Sequence, residues 1–387
     1  MEKKWIYLEP YTFIWNKSAS AYIYNSLSGV GRRFKHTEET KIILKALEIP
    51  ENLYSTEIDA KLLNNNSVQN FLTVLKSLIA GNILPYKPVI LPPILNLQFD
   101  VNRIKDDDSR TVGENILSYL YQIDLYIDSN NKDTDYWMRI KNFFTRLKKH
   151  SCNKINIHIQ HIQSVDELRR FVNEIEGVSD FITICVPVNH FSGKIIELIK
   201  KIETNLQIRL IISEIPIVSR ISNINNTFKD HEIEVQWEFH VNSEDCYEIT
   251  TSIINDLNLN NFEIIPLYTG SNIEFLKNNL YLDEEDLQYP KLCKREVFAH
   301  QVINNNYFGK LTILPDCKVY AHPYFPELGV VEDDIRDLIF KEFTNGKSWL
   351  RIRDMEPCCD CVYQWLCPSP SNYELTIGKP NLCHVQL

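Results

Sequence analysis

Five short runs of β-forming residues start at positions 154, 181, 208, 235 and 262, each 27 residues after the last. They read Lys154-Ile-Asn-Ile-His-Ile-Gln, Phe181-Ile-Thr-Ile-Cys-Val, Ile208-Arg-Leu-Ile-Ile-Ser, Val235-Gln-Trp-Glu-Phe-His-Val and Phe262-Glu-Ile-Ile-Pro-Leu. The segments between them are helical in period; Leu168, Phe171, Val172 and Ile175, for example, fall on one face. Strict alternation of strand and helix in units of fixed length leaves one arrangement, parallel strands joined by crossover helices. The expected class is therefore α/β, as either an open doubly wound sheet or a β/α barrel. Two earlier runs, Val89 to Leu97 and Ile123 to Ile127, extend the same pattern.

Alternation within the strands narrows the choice. In the run at 154, Ile155, Ile157 and Ile159 point one way, opposite Asn156, His158 and Gln160. In the run at 235, Val235, Trp237, Phe239 and Val241 oppose Gln236, Glu238 and His240. A parallel strand covered on both faces normally reads apolar throughout. A polar row on two strands suggests a barrel with a wet interior. His158, Glu238 and His240 are candidates for ligands or acid–base groups there, or for hydrogen-bonded cavity lining.

The second constraint is the cysteine-rich tail. Cys358, Cys361, Cys367 and Cys383 are spaced C-x2-C-x5-C-x15-C. Soft thiolates gathered by a short loop and a returning tail select zinc or an iron–sulfur centre. A structural zinc ribbon offers two C-x2-C knuckles, and the second is missing here. The expected occupant is one [4Fe–4S] cluster, with zinc as the alternative. Cys152, Cys185 and Cys246 stand singly in predicted strands or helices and read as small apolar side chains.

Composition excludes other classes. The 387 residues are 44% hydrophobic, enough for a large core in two or three domains. The net charge of −10, without long Lys/Arg blocks, argues against a nucleic-acid or membrane-surface binder. With no signal peptide in the opening residues and unpaired cysteines throughout, a cytoplasmic protein is expected. The 11 glycines include no G-x-G-x-x-G, no P-loop and no nucleophile elbow, so a nucleotide held by a glycine turn is not expected.

Three segments follow: 1–84, 85–285 and 286–387. The first opens with short β-rich runs at Trp5, Thr12, Ala21 and Arg32. A helix led by Ile42, Ile43, Leu44 and Leu47 comes next, then a second from about Val68 to Ala80. A hairpin sheet followed by helices resembles the winged-helix elements that grip leader peptides as an added strand; a purely structural sheet is the alternative.

A β/α barrel followed by this tail resembles the radical S-adenosylmethionine (SAM) enzymes with a SPASM domain. In that family the first, second, third and last tail cysteines hold an auxiliary [4Fe–4S] cluster. The positions here are Cys358, Cys361, Cys367 and Cys383. The SAM-binding C-x3-C-x2-C should follow the first barrel strand, but the matching stretch is Leu95-Asn-Leu-Gln-Phe-Asp-Val-Asn-Arg-Ile, and no cysteine precedes Cys152. The glycine-rich run after the second strand is replaced by Asp128-Ser-Asn-Asn. The other auxiliary site, C-x-A-G … P-D-G-x-V-Y-P-C, appears as Asn306-Tyr-Phe-Gly309 … Pro315-Asp-Cys317-Lys-Val-Tyr-Ala-His322, and Ser371 replaces its closing cysteine. Asn306, His322 and Ser371 are thus degenerate cluster positions. Cys293, Cys317 and His322 are candidates for a residual site, and Cys359 is expected not to be a ligand.

The combination is similar to the pseudo-radical-SAM proteins of the GG-type peptide systems of Bacteroidales. It shares the opening Trp5-Ile-Tyr-Leu-Glu-Pro-Tyr, the Tyr24-Asn-Ser-Leu-Ser-Gly turn, Pro93-Ile-Leu-Asn-Leu-Gln and Cys367-Pro-Ser-Pro-Ser-Asn-Tyr-Glu. What the resemblance implies is a non-catalytic partner that binds a precursor peptide through its leader, a true radical SAM maturase, or both. It implies that SAM itself is not bound. An electron carrier, or an enzyme acting on the peptide without SAM, is the alternative.

Overall fold

The computed structural model describes residues 3–18, 20–88, 116–128, 135–147, 152–161, 165–175, 177–200, 206–214 and 217–385. The strand expected at 89–97, the stretch at 95–104, the run after Asp128 and the side chain of Gln160 lie outside the described residues. The chain falls into two compact units. One comprises Met1–Asp107, Tyr281–Asn306 and Arg351–Leu387, the other Asp108–Leu280 and Tyr307–Leu350. These units follow the packing and do not coincide with the three consecutive segments read from the sequence.

The first unit starts with strands β1 (Lys4–Leu8), β2 (Thr12–Asn16), β3 (Ala21–Asn25) and β4 (Val30–Phe34). Helix α1 (Glu38–Glu48), strand β5 (Ser55–Ile58), helices α2 (Ala60–Leu63) and α3 (Asn66–Ser77), and strand β6 (Gly81–Leu84) follow. They form two antiparallel sheets, in the orders β5-β1-β6 and β2-β3-β4. Thr37 caps α1 in a reciprocal box with Thr40, and Glu38 and Glu39 complement the positive end of the helix. That fixes which face turns inward, so Ile43, Leu44 and Leu47 are buried with Ile6, Leu8, Phe71 and Leu75. Gly81 is required where β6 meets β1, since a Cβ there would lie 2.2 Å from the Tyr7 carbonyl oxygen.

The second unit holds the repeat. It runs β7 (Gln122–Asp128), α4 (Tyr136–Leu147), β8 (Cys152–His161), α5 (Val165–Glu174), β9 (Ser179–Pro187), α6 (Gly193–Lys200) and β10 (Leu206–Ile212). It continues through α7 (Val218–Asp230), β11 (Val235–Val241), α8 (Glu244–Asp256), β12 (Phe262–Pro266) and α9 (Ile273–Leu280). Strands β13 (Lys310–Ile313), β14 (Lys318–Tyr320) and β15 (Gly329–Val330) complete a nine-stranded sheet of order β12-β11-β10-β9-β8-β7-β13-β14-β15. Neighbours from β12 to β13 are parallel, and only the β13-β14-β15 edge is antiparallel.

The five strands of the 27-residue repeat are β8 to β12, side by side. Their inward isoleucines, with Leu210, Trp237 and Phe239, pack against Ile140, Phe143 and Phe144 of α4, Phe171 of α5 and Phe228 of α7. Each such side chain contributes on the order of 1.5–3 kcal/mol of burial. No helix among the described residues is long and apolar enough to cross a membrane.

Candidate functional site

The four tail cysteines come together in the first unit. Cys358, Cys361, Cys367 and Cys383 line one pocket with Arg353, Gln364, Asn381 and the apolar Leu287, Leu382 and Val385. The loop is shaped by its own backbone. The Cys361 amide donates to the Cys358 carbonyl (3.1 Å) and the Cys367 amide to the Tyr363 carbonyl (2.9 Å). Cys383 is delivered by an isolated bridge to Leu282, in which the Leu282 amide donates to the Leu382 carbonyl and the His384 amide to the Leu282 carbonyl. Donors already face the sulfurs: the Tyr363 amide lies 3.4 Å from Cys361 Sγ, and Asn381 Nδ2 lies 3.2 Å from Cys383 Sγ.

The electrostatics of this pocket suit a cationic guest. Burial raises the Cys358, Cys361 and Cys367 thiols, and their neighbouring thiols raise them further; Cys367 is pushed up to about 12. The Arg353 guanidinium pulls Cys358 and Cys367 the other way. Thiolates at Cys358, Cys361 and Cys367 are therefore disfavoured until positive charge enters.

Among the described residues, no group of three or more His, Cys, Asp or Glu closes on a point that one metal ion could fill. A tetrahedral zinc needs sulfurs about 3.8 Å apart, from Zn–S bonds of ~2.3 Å. The pocket is a cavity of ≈ 80 Å³, against the roughly 10–15 Å³ that a single water needs on the same measure. The donor set and the space fit a polynuclear cluster better than a lone ion.

Cys359 shares the loop but its backbone oxygen is what is engaged, accepting from Lys17 Nζ at 2.6 Å. Lys17 Nζ also donates to Gln364 Oε1 (2.8 Å), tying the β2–β3 turn to the cysteine loop. Below that tie, Phe13, Trp15, Tyr22 and Tyr24 share one apolar cluster with Val362, Tyr363 and Leu366. Tyr22 and Tyr363 meet edge to face at 5.0 Å.

The degenerate positions carry ordinary structural bonds. Asn306 Nδ2 donates to the Ser369 carbonyl (3.1 Å), and Asn304 Nδ2 donates to the Pro370 carbonyl (2.8 Å). Ser371 caps helix Asn372–Ile377 in a reciprocal box with Glu374. Asn306 and the loop that leads to Ser371 are thus neighbours held by amide hydrogen bonds. In the second unit, His322 Nδ1 accepts from the Tyr324 amide (3.1 Å), and its ring meets Tyr307 edge-on at 4.7 Å. Cys317 is buried there, with a left-handed φ of 64° in the turn before β14. That conformation favours glycine, the residue the matching run of the SPASM enzymes has at this place. Cys293 is exposed at the start of helix Lys294–Val302 in the first unit. Cys152, Cys185 and Cys246 are buried.

The polar row of the sheet is also present, with partners that the sequence did not single out. His158 lies 3.7 Å from the Asp124 carboxylate, an ion-pair contact longer than a hydrogen bond, and stacks flat on Tyr126 at 4.3 Å. Asp124 further accepts from Gln122 Nε2 (2.9 Å) and Asn156 Nδ2 (2.6 Å). Three strands on, Glu238 accepts from Arg209 Nη1 (3.2 Å) and pairs with His240 at 2.8 Å, while His240 Nδ1 meets Ser213 Oγ at 3.1 Å. Glu238 and His240 are therefore brought together, and His158 belongs to a separate group.

Burial alone would lower His158, but the Asp124 carboxylate and the Cys185 thiol outweigh it and hold the imidazole at about 9. Burial likewise works against the Asp124 and Glu238 carboxylates, and their hydrogen-bond partners reverse it, keeping both below their usual range. The row is a set of charges compensated in place.

No family model and no curated protein matches the sequence. Solved structures do. The fold is similar to SuiB of Streptococcus suis at a TM-score of 0.50 and 10% identity, covering 98% of this chain and 100% of that one. It is equally similar to SuiB bound to its precursor peptide SuiA, at a TM-score of 0.51 and 10% identity over 98% of this chain and 99% of that one. The α/β architecture with its mostly parallel nine-stranded sheet is thus an architecture already seen in SuiB.

Proposed function

We propose that this protein serves the maturation of a ribosomally made peptide as a non-catalytic partner. It binds the precursor, the active radical SAM maturase, or both, and carries one [4Fe–4S] cluster on Cys358, Cys361, Cys367 and Cys383. The observation that carries the reading is an asymmetry. The four tail thiols converge on one pocket, while the chain has no cysteine before Cys152 to hold a SAM-cleaving cluster. The bonded state of Asn306 and Ser371 supports loss of the remaining cluster in the same way.

The fold likeness to a structure solved with its precursor peptide supports peptide binding. So does the order of elements in the first unit: α1, β5, α2, α3 and β6 closing on β1 follow a winged helix, with β5 and β6 as edge strands to which a leader can add. The second unit then acts as a degenerate, partial β/α barrel, and the tail as a SPASM-like domain whose cluster staples the loop.

Affinity capture decides the partner role. The tagged protein, co-expressed with a short precursor and an intact radical SAM maturase from one gene neighbourhood, is expected to enrich at least one of them. Enrichment of neither refutes the reading.

A further inference from the structure

We infer that Arg353 and Glu374 form a built-in pair that sets the reduction potential of the cluster; this rests on the cluster reading above. Both side chains are almost wholly buried, 7% and 5% exposed, and they meet at 2.9 Å. Arg353 lines the same pocket as the four cysteines. Its Nε donates to the Pro368 carbonyl (2.5 Å), next to Cys367, and its backbone carbonyl accepts from Gln364 Nε2 (2.6 Å), another pocket residue. The guanidinium is therefore held by Glu374 and the Pro368 carbonyl, and its charge lowers the Cys358 and Cys367 thiols.

A buried ion pair beside a metal pocket costs desolvation that an apolar pair would avoid, so stability is a weak explanation for it. Its chemistry has a clearer use. The potential of an iron–sulfur cluster follows net charge, hydrogen bonds to its sulfurs and exposure to solvent. Reduction adds one negative charge to a set of four thiolates, and a fixed guanidinium at two of them stabilises that charge. Glu374, which does not line the pocket, pairs with the guanidinium and offsets part of its field. It also accepts from the Ser371 amide (2.8 Å), so its position does not depend on Arg353 alone. Arg353 is a positioning and tuning residue; it makes no bond to substrate.

The two partners must then act with opposite sign. After anaerobic reconstitution, Arg353→Gln is expected to lower the midpoint potential, Glu374→Gln to raise it, and Arg353→Lys to fall between wild type and Arg353→Gln. Iron and sulfide content is measured on every sample beside the potential. A purely structural pair would lower cluster content in both variants without shifting the potential of what remains. Wild type that takes up no iron and sulfide refutes the cluster reading. A loaded wild type and loaded Glu374→Gln at one potential refute the tuning role alone. If Arg353→Gln does not fold, Arg353→Lys and Glu374→Gln carry the comparison with the same signs.

Discussion

At the scale of single residues the cysteine ligands differ from their neighbour. Cys367→Ser removes a half-buried proposed ligand and is expected to lower the iron bound after reconstitution to a small fraction of wild type. Cys359→Ser, whose backbone rather than sulfur is engaged, is expected to leave it unchanged. Iron assays on the two variants check this, and equal loss in both would move the site elsewhere. His158 gives a test in the second unit. Its folded value of about 9 stands above the usual 6.5, so the protonated ring adds stability that is complete below about pH 6.5. That stability fades as pH rises through 9, a loss on the order of 3 kcal/mol. Thermal melts from pH 6 to 10 should show this decline in wild type and a flatter profile in His158→Asn. The Cys spacing made Cys358, Cys361 and Cys367 legible as neighbours, since C-x2-C and C-x5-C are local, and the fold brings Cys383 to the same pocket. Arg353 and Glu374 were not legible, because a buried ion pair 21 residues apart leaves no period to read. Asp124 escaped for a similar reason: it pairs with His158 across strands, and only register puts the two together.

At the scale of elements the repeat was read directly. The strands at 154 to 262 each became β8 to β12, because isoleucine-rich alternation and helical spacing agree at every level. Strands β5 and β6, four residues each, were missed; nothing that short shows alternation, and their pairing with β1 is long-range. The polar faces of β8 and β11 were anticipated as hydrogen-bonded residues, but their partners Asp124, Arg209 and Ser213 were not. The link from the β2–β4 sheet to the cysteine loop was also unforeseen, as it joins residues more than 300 apart. It has a consequence. Since Phe13, Trp15, Tyr22 and Tyr24 share a core with Val362, Tyr363 and Leu366, loosening the loop must loosen the sheet. Stripping iron with a chelator is expected to speed hydrogen exchange at β2 and β3 amides while β8 to β11 stay protected. Equal exchange with and without metal would uncouple them. Phe13→Ala, which opens that shared core, is expected to cost about 3–5 kcal/mol.

At the scale of the whole molecule the proposal is of a SuiB-like fold that keeps one cluster site. The architecture is shared with SuiB, and the positions that the family resemblance marks as degenerate carry asparagine, serine and histidine engaged in hydrogen bonds and ring contacts. The two compact units were not legible as such, because the N-terminal strands and the cysteine tail join only through packing, without a composition shift to mark them. On the proposed reading, the protein holds a peptide and staples its own tail with a cluster, leaving radical chemistry to another chain. The most direct test is the metal stoichiometry of anaerobically reconstituted protein. About four irons and four acid-labile sulfides per chain are expected, lost when the tail cysteines are replaced. About eight irons, or a single tightly held zinc without sulfide, would contradict the account.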